Sequence, residues 1–327
     1  MRSARLELAL AIGALTLPEA GDILVLRPRA GDDLSALPKD RVVVLTGFKP
    51  DFDYFAAQGY RMEPGAPAAL ALVCLPRAKA EARALLARAE SLLAPGGMIA
   101  VDGQKTDGVD TALKDCKSLG LSVGEAVAKA HGKLALVTPA ASLRDWAAQA
   151  MQIDDGFTTL PGVFSAEHAD RGSVLLAAAL PAKLPARVAD LGAGWGYLSR
   201  AILEREGVKE LDLVEAEADA LDCARLNITD ARARFYWADA TAIRPTKLWD
   251  AVVMNPPFHT TREADPGLGM AFLKAAHRGL TPSGSLWLVA NRHLPYEKVL
   301  RSLFKQVEDI GGDNAFRVTR AVAPIRG

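Results

Sequence analysis

The tetrapeptide Asn255-Pro256-Pro257-Phe258 is the part of this sequence best suited to chemistry. It directly follows an apolar run, residues 251–254, which predicts a buried strand. Proline cannot donate to a sheet and fixes its own backbone, so the strand should end in a rigid lip. The carboxamide oxygen and a neighbouring carbonyl can accept both hydrogens of a planar NH₂ group, and the ring can stack on a flat base. The alternative is an ordinary proline-rich turn.

A glycine-rich segment lies upstream of this lip. A short apolar strand, residues 187–191, runs into Gly192, Gly194 and Gly196, and an apolar helix face begins at Leu198. Glycines in such a turn let a ligand approach the backbone closely. The spacing is Gly-x-Gly-x-Gly, which differs from the Gly-x-Gly-x-x-Gly of dinucleotide-binding folds. We predict a cofactor loop that contains Asp190, Gly192, Ala193, Gly194 and Gly196.

Two acidic residues follow the predicted second and third strands. Residues 211–214 form an apolar run that ends in Glu215, and an acid at this place suits a ribose diol. The segment 237–240 can place Asp239, with Ala240 beside it, against an adenine amine. The chain thus carries, in this order, the glycine loop, the strand-end Glu215, Asp239 and the lip at Asn255. This order indicates a class I S-adenosylmethionine (SAM) methyltransferase rather than a nucleotide-binding dehydrogenase. In such an enzyme we expect Asn255 to contact both the cofactor and the substrate.

Composition and charge set limits on this interpretation. The chain has 327 residues, 50% of them hydrophobic and 24% charged, with a formal net charge of zero. This predicts about two globular domains and requires any phosphate contact to come from a local basic patch. Apolar runs are too short to span a membrane, and the start lacks a signal-type core, so we expect a cytoplasmic protein. The cysteines, at 74, 116 and 223, show no metal spacing and should be buried thiols.

The first half of the chain resembles the second half in sequence, but it lacks the motifs that could do chemistry. Residues 72–77 parallel 253–257, and residues 93–101 parallel 280–288. The sequence therefore predicts an α/β fold with two tandem class I (Rossmann-like) methyltransferase domains, at 1–145 and 146–327. Leu75 aligns with Asn255, and the strand at 23–26 leads into Arg27 without a glycine loop. We therefore expect the N-terminal domain to be degenerate, to bind no SAM, and to serve substrate docking or stability.

The whole pattern resembles the bacterial guanine-N2 methyltransferases that act on small-subunit (16S) ribosomal RNA. The segments that carry the resemblance are residues 159–165, 190–196 and 255–259, with a basic segment at 76–79. The resemblance implies SAM as cofactor, ribosomal RNA or the small ribosomal subunit as partner, and a monomer that needs no metal. It implies catalysis by Asn255, Pro256, Pro257 and Phe258. The further residues expected to contact substrate are Phe164, His259, Arg262, Arg77 and Lys79.

Other functions use a similar lip. A sister family methylates guanine in large-subunit RNA. Protein-glutamine methyltransferases usually carry Tyr after the prolines, and DNA adenine methyltransferases carry a target-recognition insertion that this chain lacks. A non-catalytic RNA-binding protein with a vestigial pocket is a fourth possibility, which the intact Asn255 and glycine loop disfavour.

The residue types suggest how transfer would work. Asn255 and the carbonyl of Pro256 would accept the two amine hydrogens and direct the nitrogen lone pair at the methyl group. Phe258 would stack on a base that has been swung out of its RNA stack. The loop at 259–269, longer than its counterpart in the first half, is a candidate substrate lid.

Overall fold

The computed structural model describes residues 2–139, 141–257 and 266–326. These residues form two compact units, Met1–Ala150 and Met151–Gly327, each an α/β layer structure as predicted. The division falls five residues later than the predicted 145/146 boundary.

The first unit surrounds one mixed sheet. Its strands are β1 Ile23–Leu26, β2 Val42–Leu45, β3 Ala68–Cys74, β4 Leu93–Gln104, β5 Ser122–Val123, β6 Val127–Lys129 and β7 Gly132–Thr138. Its helices are α1 Arg2–Ala11, α2 Lys49–Ala57, α3 Lys79–Ser91 and α4 Val109–Ser118. The strand order is β2-β1-β3-β4-β7-β5, and β6 also pairs with β7. The first four strands are parallel and β7 is antiparallel, so helices can cover both faces.

The second unit begins with a short hairpin of β8 Met151–Gln152 and β9 Thr158–Thr159. Its main strands are β10 Arg187–Leu191, β11 Glu210–Glu215, β12 Ala233–Trp237, β13 Trp249–Met254, β14 Leu280–Asn291, β15 Phe304–Gly312 and β16 Phe316–Pro324. Its helices are α5 Arg171–Ala179, α6 Tyr197–Leu203, α7 Ala218–Asn227, α8 Pro266–Gly279 and α9 Tyr296–Leu303. The main sheet has the order β12-β11-β10-β13-β14-β16-β15. This order, parallel through β14 and antiparallel at β16, is the Rossmann-like arrangement that the sequence predicts.

The strand order of the second unit reverses between β10 and β13, which are parallel neighbours. In open α/β sheets, ligands bind at the carboxyl ends of the strands at such a reversal. The register pairs Asp190 with Val253, so the glycine loop and the Asn255 lip leave the sheet side by side. The fold therefore brings together two motifs that are distant in sequence.

The two sheets have the same strand order, except that the second sheet has one more parallel strand, β12, at its edge. In the first unit, an isolated bridge between Val43 and Arg61 lies at that place. The shared register also corrects the sequence alignment at the lip. Val73 pairs with Val101 as Met254 pairs with Leu288, so the residue equivalent to Asn255 is Cys74, one position before the predicted Leu75. Matching the first prolines of the two lips caused the one-residue slip, and the first unit still lacks an amide there.

Apolar side chains pack on both faces of each sheet. In the first unit the parallel strands β1, β2 and β3 are almost fully buried, as their continuous Val, Leu and Ile runs predict. In the second unit, α5 and α6 cover one face and α8 and α9 the other. All three cysteines are buried free thiols, as predicted. Within the described residues, no helix has both the length and the apolar character needed to cross a membrane.

Candidate functional site

The glycine loop turns sharply as it leaves β10. Gly192, Gly194 and Gly196 have φ angles of 78°, 55° and 95°, in the region that side chains disfavour. The N–H groups of Gly192 and Ala193 both donate to the carbonyl of Val214, at 2.9 and 3.1 Å, so β11 holds the turn. A Cβ on Gly194 would meet no atom within 4 Å, whereas a Cβ on Gly196 would lie 3.1 Å from Ile228. Open space therefore lies over Gly194, and packing lies behind Gly196.

Glu215 ends β11 beside this loop, as predicted. Its Oε2 accepts from the N–H of Gly194 at 2.8 Å, and its Oε1 accepts from the N–H of Glu217 at 2.8 Å. Burial raises the pKa of Glu215, and these backbone hydrogen bonds oppose the rise. A carboxylate has about four lone-pair sites, so both oxygens can also accept from hydroxyl groups of a ligand.

Asp190 is fully buried at the end of β10. Its Oδ2 accepts from the hydroxyl of Ser199 at 2.7 Å, while its Oδ1 has no hydrogen-bond partner among the described residues. Burial raises the pKa of Asp190 to about 7, and the nearby charge of Glu215 adds to the rise. Asp190 therefore lies below the glycine loop with one polar atom still unsatisfied.

Asp239 and Ala240 follow β12 at the neighbouring strand end. The Oδ1 of Asp239 accepts from the N–H and the hydroxyl of Thr241, both at 2.7 Å. The N–H of Ala238 donates to the carbonyl of Glu215 at 3.0 Å, which holds this segment against the end of β11. The structure therefore groups Asp239 with Glu215, as the strand-end pattern predicts.

Asn255 is partly buried at the end of β13, and its amide has fixed partners. Its Nδ2 donates to Oδ2 of Asp170 at 2.8 Å and to Oγ of Ser173 at 2.9 Å. Sequence reasoning missed both partners, because they lie 85 and 82 residues away along the chain. The available signal was the Asp-x-x-Ser pattern of a helix start, since Asp170 caps α5 by accepting from the N–H of Ser173.

One pocket joins the two motifs. Phe164 is 66% exposed at its mouth, and the carbonyl of Phe164 accepts from Trp195 Nε1 at 2.9 Å. The residues around the pocket come from the glycine loop, the lip and α5, namely Phe164, Asp170, Ser173, Gly192, Ala193, Gly194 and Asn255. The geometry thus unites a backbone cradle, an amide with its nitrogen engaged, and an exposed aromatic ring.

Comparison with known proteins agrees with this arrangement. The model of the methyltransferase small domain family matches residues 155–320. A ribosomal RNA small subunit methyltransferase C from Shewanella amazonensis is 30% identical over 290 residues, which cover 82% of this chain and 84% of the relative. The protein of that name from Aeromonas hydrophila is 31% identical, covering 84% and 86%. The chain belongs to the ribosomal RNA small subunit methyltransferase C family.

A solved structure supports the same family over both units. The T. thermophilus 16S rRNA N2 methyltransferase, in complex with AdoMet and guanosine, matches with a TM-score of 0.79 and 26% identity. The match covers 94% of this chain and 90% of that one. The predicted Rossmann-like α/β fold is therefore confirmed over both units, while the degeneracy of the first unit stays a prediction.

The residues present fit the cofactor of this family. Open space over Gly194 admits a ligand against the backbone, and Glu215 lies beside it with lone pairs to spare. Asp190 offers a buried oxygen that lacks a partner among the described residues. Among those residues no cluster of three or more His, Cys, Asp or Glu side chains could hold a metal ion.

The remaining predicted site residues fall into three groups: the prolines of the lip, residues outside the described ranges, and residues of the first unit. Pro256 is buried and Pro257 is exposed at the lip. Phe258, His259 and Arg262 lie outside the described residues, so their roles stay predictions. Arg77 and Lys79 belong to the first unit, where they line a separate cavity of 170 Å³.

Proposed function

We propose that this chain transfers a methyl group from SAM to the N2 amine of a guanine in 16S ribosomal RNA. The target is the guanine equivalent to number 1207, which the T. thermophilus relative modifies. The observation that carries the proposal is the amide of Asn255, held at the end of β13 with its nitrogen engaged and beside the glycine loop. An amide held this way presents its oxygen, which is the atom that an amine substrate needs.

SAM would supply a methyl group on a positively charged sulfur; its transfer would leave a neutral thioether, and the methylated amine would release one hydrogen as a proton. The backbone of Gly192 and Gly194 would hold its amino-acid portion, Glu215 its ribose hydroxyls and Asp239 its adenine amine. Ala193, Gly196 and Ala240 shape this cradle through their backbone. These assignments rest on the positions of the groups at neighbouring strand ends.

The lip holds the substrate amine. Asn255 Oδ1 and the carbonyl of Pro256 accept its two hydrogens, which favours electron density on nitrogen and directs the lone pair outward. Because the amine lone pair is delocalised into the purine ring, this positioning supplies most of the catalysis. Phe258 stacks on the flipped base, where base–aromatic stacking typically contributes about 1–3 kcal/mol.

The first unit takes the role of RNA docking and binds no SAM. The residue equivalent to Gly192 is Arg27, which keeps a φ of 56° and donates its N–H to Leu45 at 2.7 Å, as Gly192 does to Val214. The guanidinium of Arg27 pairs with Glu81 at 2.8 Å, and both side chains are largely buried. This ion pair joins the end of β1 to α3 at the point where the strand order reverses, so it occupies the crevice that would receive a cofactor.

A basic cavity on the first unit supports docking. Arg77, Lys79 and Arg83 line it together with Trp146, and α3 and α4 begin beside it. Lys79 and Arg83 both pair with Asp115, at 2.9 and 2.8 Å, yet both stay substantially exposed. Phosphate groups can compete for such exposed cations, because exposed ion pairs contribute little stability. The protein acts in the cytoplasm as a monomer on ribosomal RNA or the small subunit.

Mapping of methylated guanines in 16S RNA tests this function. RNA from a strain that lacks the gene should lose one N2-methylguanine at the proposed position. The purified chain with SAM should restore that modification to RNA or small subunits from the same strain. Loss of a methyl group from large-subunit RNA instead would contradict the proposal.

A further inference from the structure

The amide of Asn255 has two ends of nearly equal size and opposite chemistry. The oxygen accepts hydrogen bonds and the NH₂ group donates them. Only the orientation with the oxygen toward the pocket can receive a substrate amine. A rotation of half a turn about the last side-chain bond would present a second donor to that amine and block the reaction.

The two partners of the amide nitrogen, Asp170 and Ser173, differ in whether they can fix the orientation of the amide. Ser173 accepts from Nδ2 at 2.9 Å, but a hydroxyl can equally donate to an amide oxygen. Asp170 accepts from Nδ2 at 2.8 Å, and a carboxylate can only accept. Of these two partners, Asp170 is therefore the one that makes the reversed amide unfavourable.

The position of Asp170 is fixed by the start of α5. The same Oδ2 that accepts from Asn255 also accepts from the N–H of Ser173 at 2.9 Å. Further along, Leu176 is fully buried in the core that covers one face of the sheet. A Cβ on Gly172 would lie 3.0 Å from this carboxylate oxygen and 3.2 Å from the ring of Phe316. Glycine at this place leaves room for the carboxylate.

We propose that Asp170 is a positioning residue that orients the Asn255 amide, so that Oδ1 faces the guanine amine. The proposal rests on the proposed function for the identity of the substrate. The arrangement of donors and acceptors that it invokes belongs to the chain itself.

Three substitutions separate this role from helix capping. Asp170→Ser keeps a good N-cap, because serine caps helices about as well as aspartate, but its shorter side chain withdraws from Asn255. Asp170→Asn keeps an oxygen that can accept from both groups, without the charge. Asp170→Ala removes both functions. Arg171→Ala is a matched control in the same turn, since Arg171 pairs with Asp313 at 2.6 Å.

Two measurements on the full chain report on the proposal. The first is methyl transfer to small subunits from the deletion strain, with kcat, the dissociation constant of SAM and the melting temperature. Asp170→Ser should lower kcat about tenfold or more, as loss of a hydrogen bond to a charged group implies. SAM affinity and melting temperature should stay at parent values, and Asp170→Asn should retain more activity than Asp170→Ser.

The second measurement needs no RNA. The side-chain ¹⁵N–¹H resonances of Asn255, assigned by their loss in Asn255→Ala, should shift in Asp170→Ser and stay in place in Arg171→Ala. On the Asn255→Ala background, adding Asp170→Ser should change kcat less than about twofold, because the group to be oriented is gone.

The outcomes distinguish the two proposals. A parent chain that methylates no RNA contradicts the proposed function, and the resonances still test Asp170. An active parent whose kcat and Asn255 resonances are unchanged by Asp170→Ser would overturn the positioning role. An equal loss of kcat on both backgrounds would also overturn it, since the effect would then not pass through Asn255.

Discussion

Asn255 is the residue on which the proposed chemistry depends most directly. It leaves the sheet at the strand reversal, where its nitrogen donates to Asp170 and Ser173, and its oxygen is the atom proposed to accept from the substrate amine. The prolines that follow hold its backbone and cannot extend β13.

Replacing Asn255 with alanine should reduce methyl transfer by about 10²–10³, the usual cost of losing one electrostatic positioning group. SAM affinity should change little, because the cradle is built from β10, β11 and β12. Single-turnover rates and calorimetric titration of SAM on the same preparation check both parts. Activity within a few-fold of the parent would mean that another group holds the amine.

Asp190 should make stability depend on pH. Its folded-state pKa of about 7 lies above the ordinary value of 3.8, so between about pH 4 and pH 7 the folded state holds a proton that the unfolded state has lost. Stability therefore falls as pH rises through this range, by an amount on the order of 4 kcal/mol if the whole shift is expressed.

The variant Asp190→Asn checks this expectation, because asparagine does not ionise. Urea unfolding followed by tryptophan fluorescence reports mainly on the second unit, which holds four of the five tryptophans. The variant should gain stability relative to the parent as pH increases from 5 to 8. A difference that stays constant with pH would show that Asp190 is ionised in the folded state throughout.

At the scale of elements, two glycines of the glycine loop should affect different properties, one cofactor binding and the other stability. Gly194 lies under open space, while Gly196 has a φ of 95° and lies against Ile228. Gly194→Ala should therefore weaken SAM binding with a stability loss of roughly 1 kcal/mol, the usual cost of a left-handed conformation. Gly196→Ala should destabilise the unit more, since it adds a clash.

Melting temperatures and SAM dissociation constants of the two variants test the contrast. Equal losses of SAM affinity at equal stability would mean that the space over Gly194 is not the cofactor site.

The elements and the local motifs could be read from sequence, but the contacts between them could not. Apolar runs predict the strands, while the spacing of glycines predicts the loop and the paired prolines predict the lip. The Asp170–Asn255 contact depends on how α5 packs on the sheet, which no local pattern encodes. The alignment of Leu75 with Asn255 was wrong by one residue, because sequence similarity matched a proline while hydrogen bonds fix the register at Cys74. The lip beyond Pro257 stays a prediction.

At the scale of the whole molecule, the chain should bind one SAM. The first unit has the Arg27–Glu81 ion pair at its strand reversal and lacks the amide lip. Equilibrium dialysis of the full chain should saturate at one SAM per chain, and Glu215→Ala should weaken that single site. A stoichiometry of two would mean that the first unit also binds the cofactor.

The basic cavity should contribute to RNA affinity. Replacing Arg77, Lys79 and Arg83 together with glutamine should raise KM for RNA and reduce the salt slope of binding by about two, because phosphate contacts release counterions. SAM affinity should stay at the parent value. Three exposed lysines of the same unit that do not line the cavity, Lys114, Lys117 and Lys129, give a matched control.

If the glutamine variant of the cavity binds RNA like the parent, the docking role is wrong. A role in stability would then require that deleting the first unit yields insoluble protein. Arg88 lies on α3 but does not line the cavity, so it offers a fourth position for the control variant.

The bridge at Arg61 has a consequence for solubility. The strand β2, with the sequence Val-Val-Val-Leu, would otherwise end the first sheet with an open row of backbone groups, and such edges recruit other chains. Instead, the carbonyl of Arg61 accepts from Val44 at 2.8 Å, and its guanidinium pairs with Asp22 at 2.7 Å. One residue, held by these two contacts, thus covers part of the β2 edge where a whole strand would otherwise pair. The exposed edge of the first sheet is in this way protected against pairing with another chain, although the described residues form no full strand beyond β2.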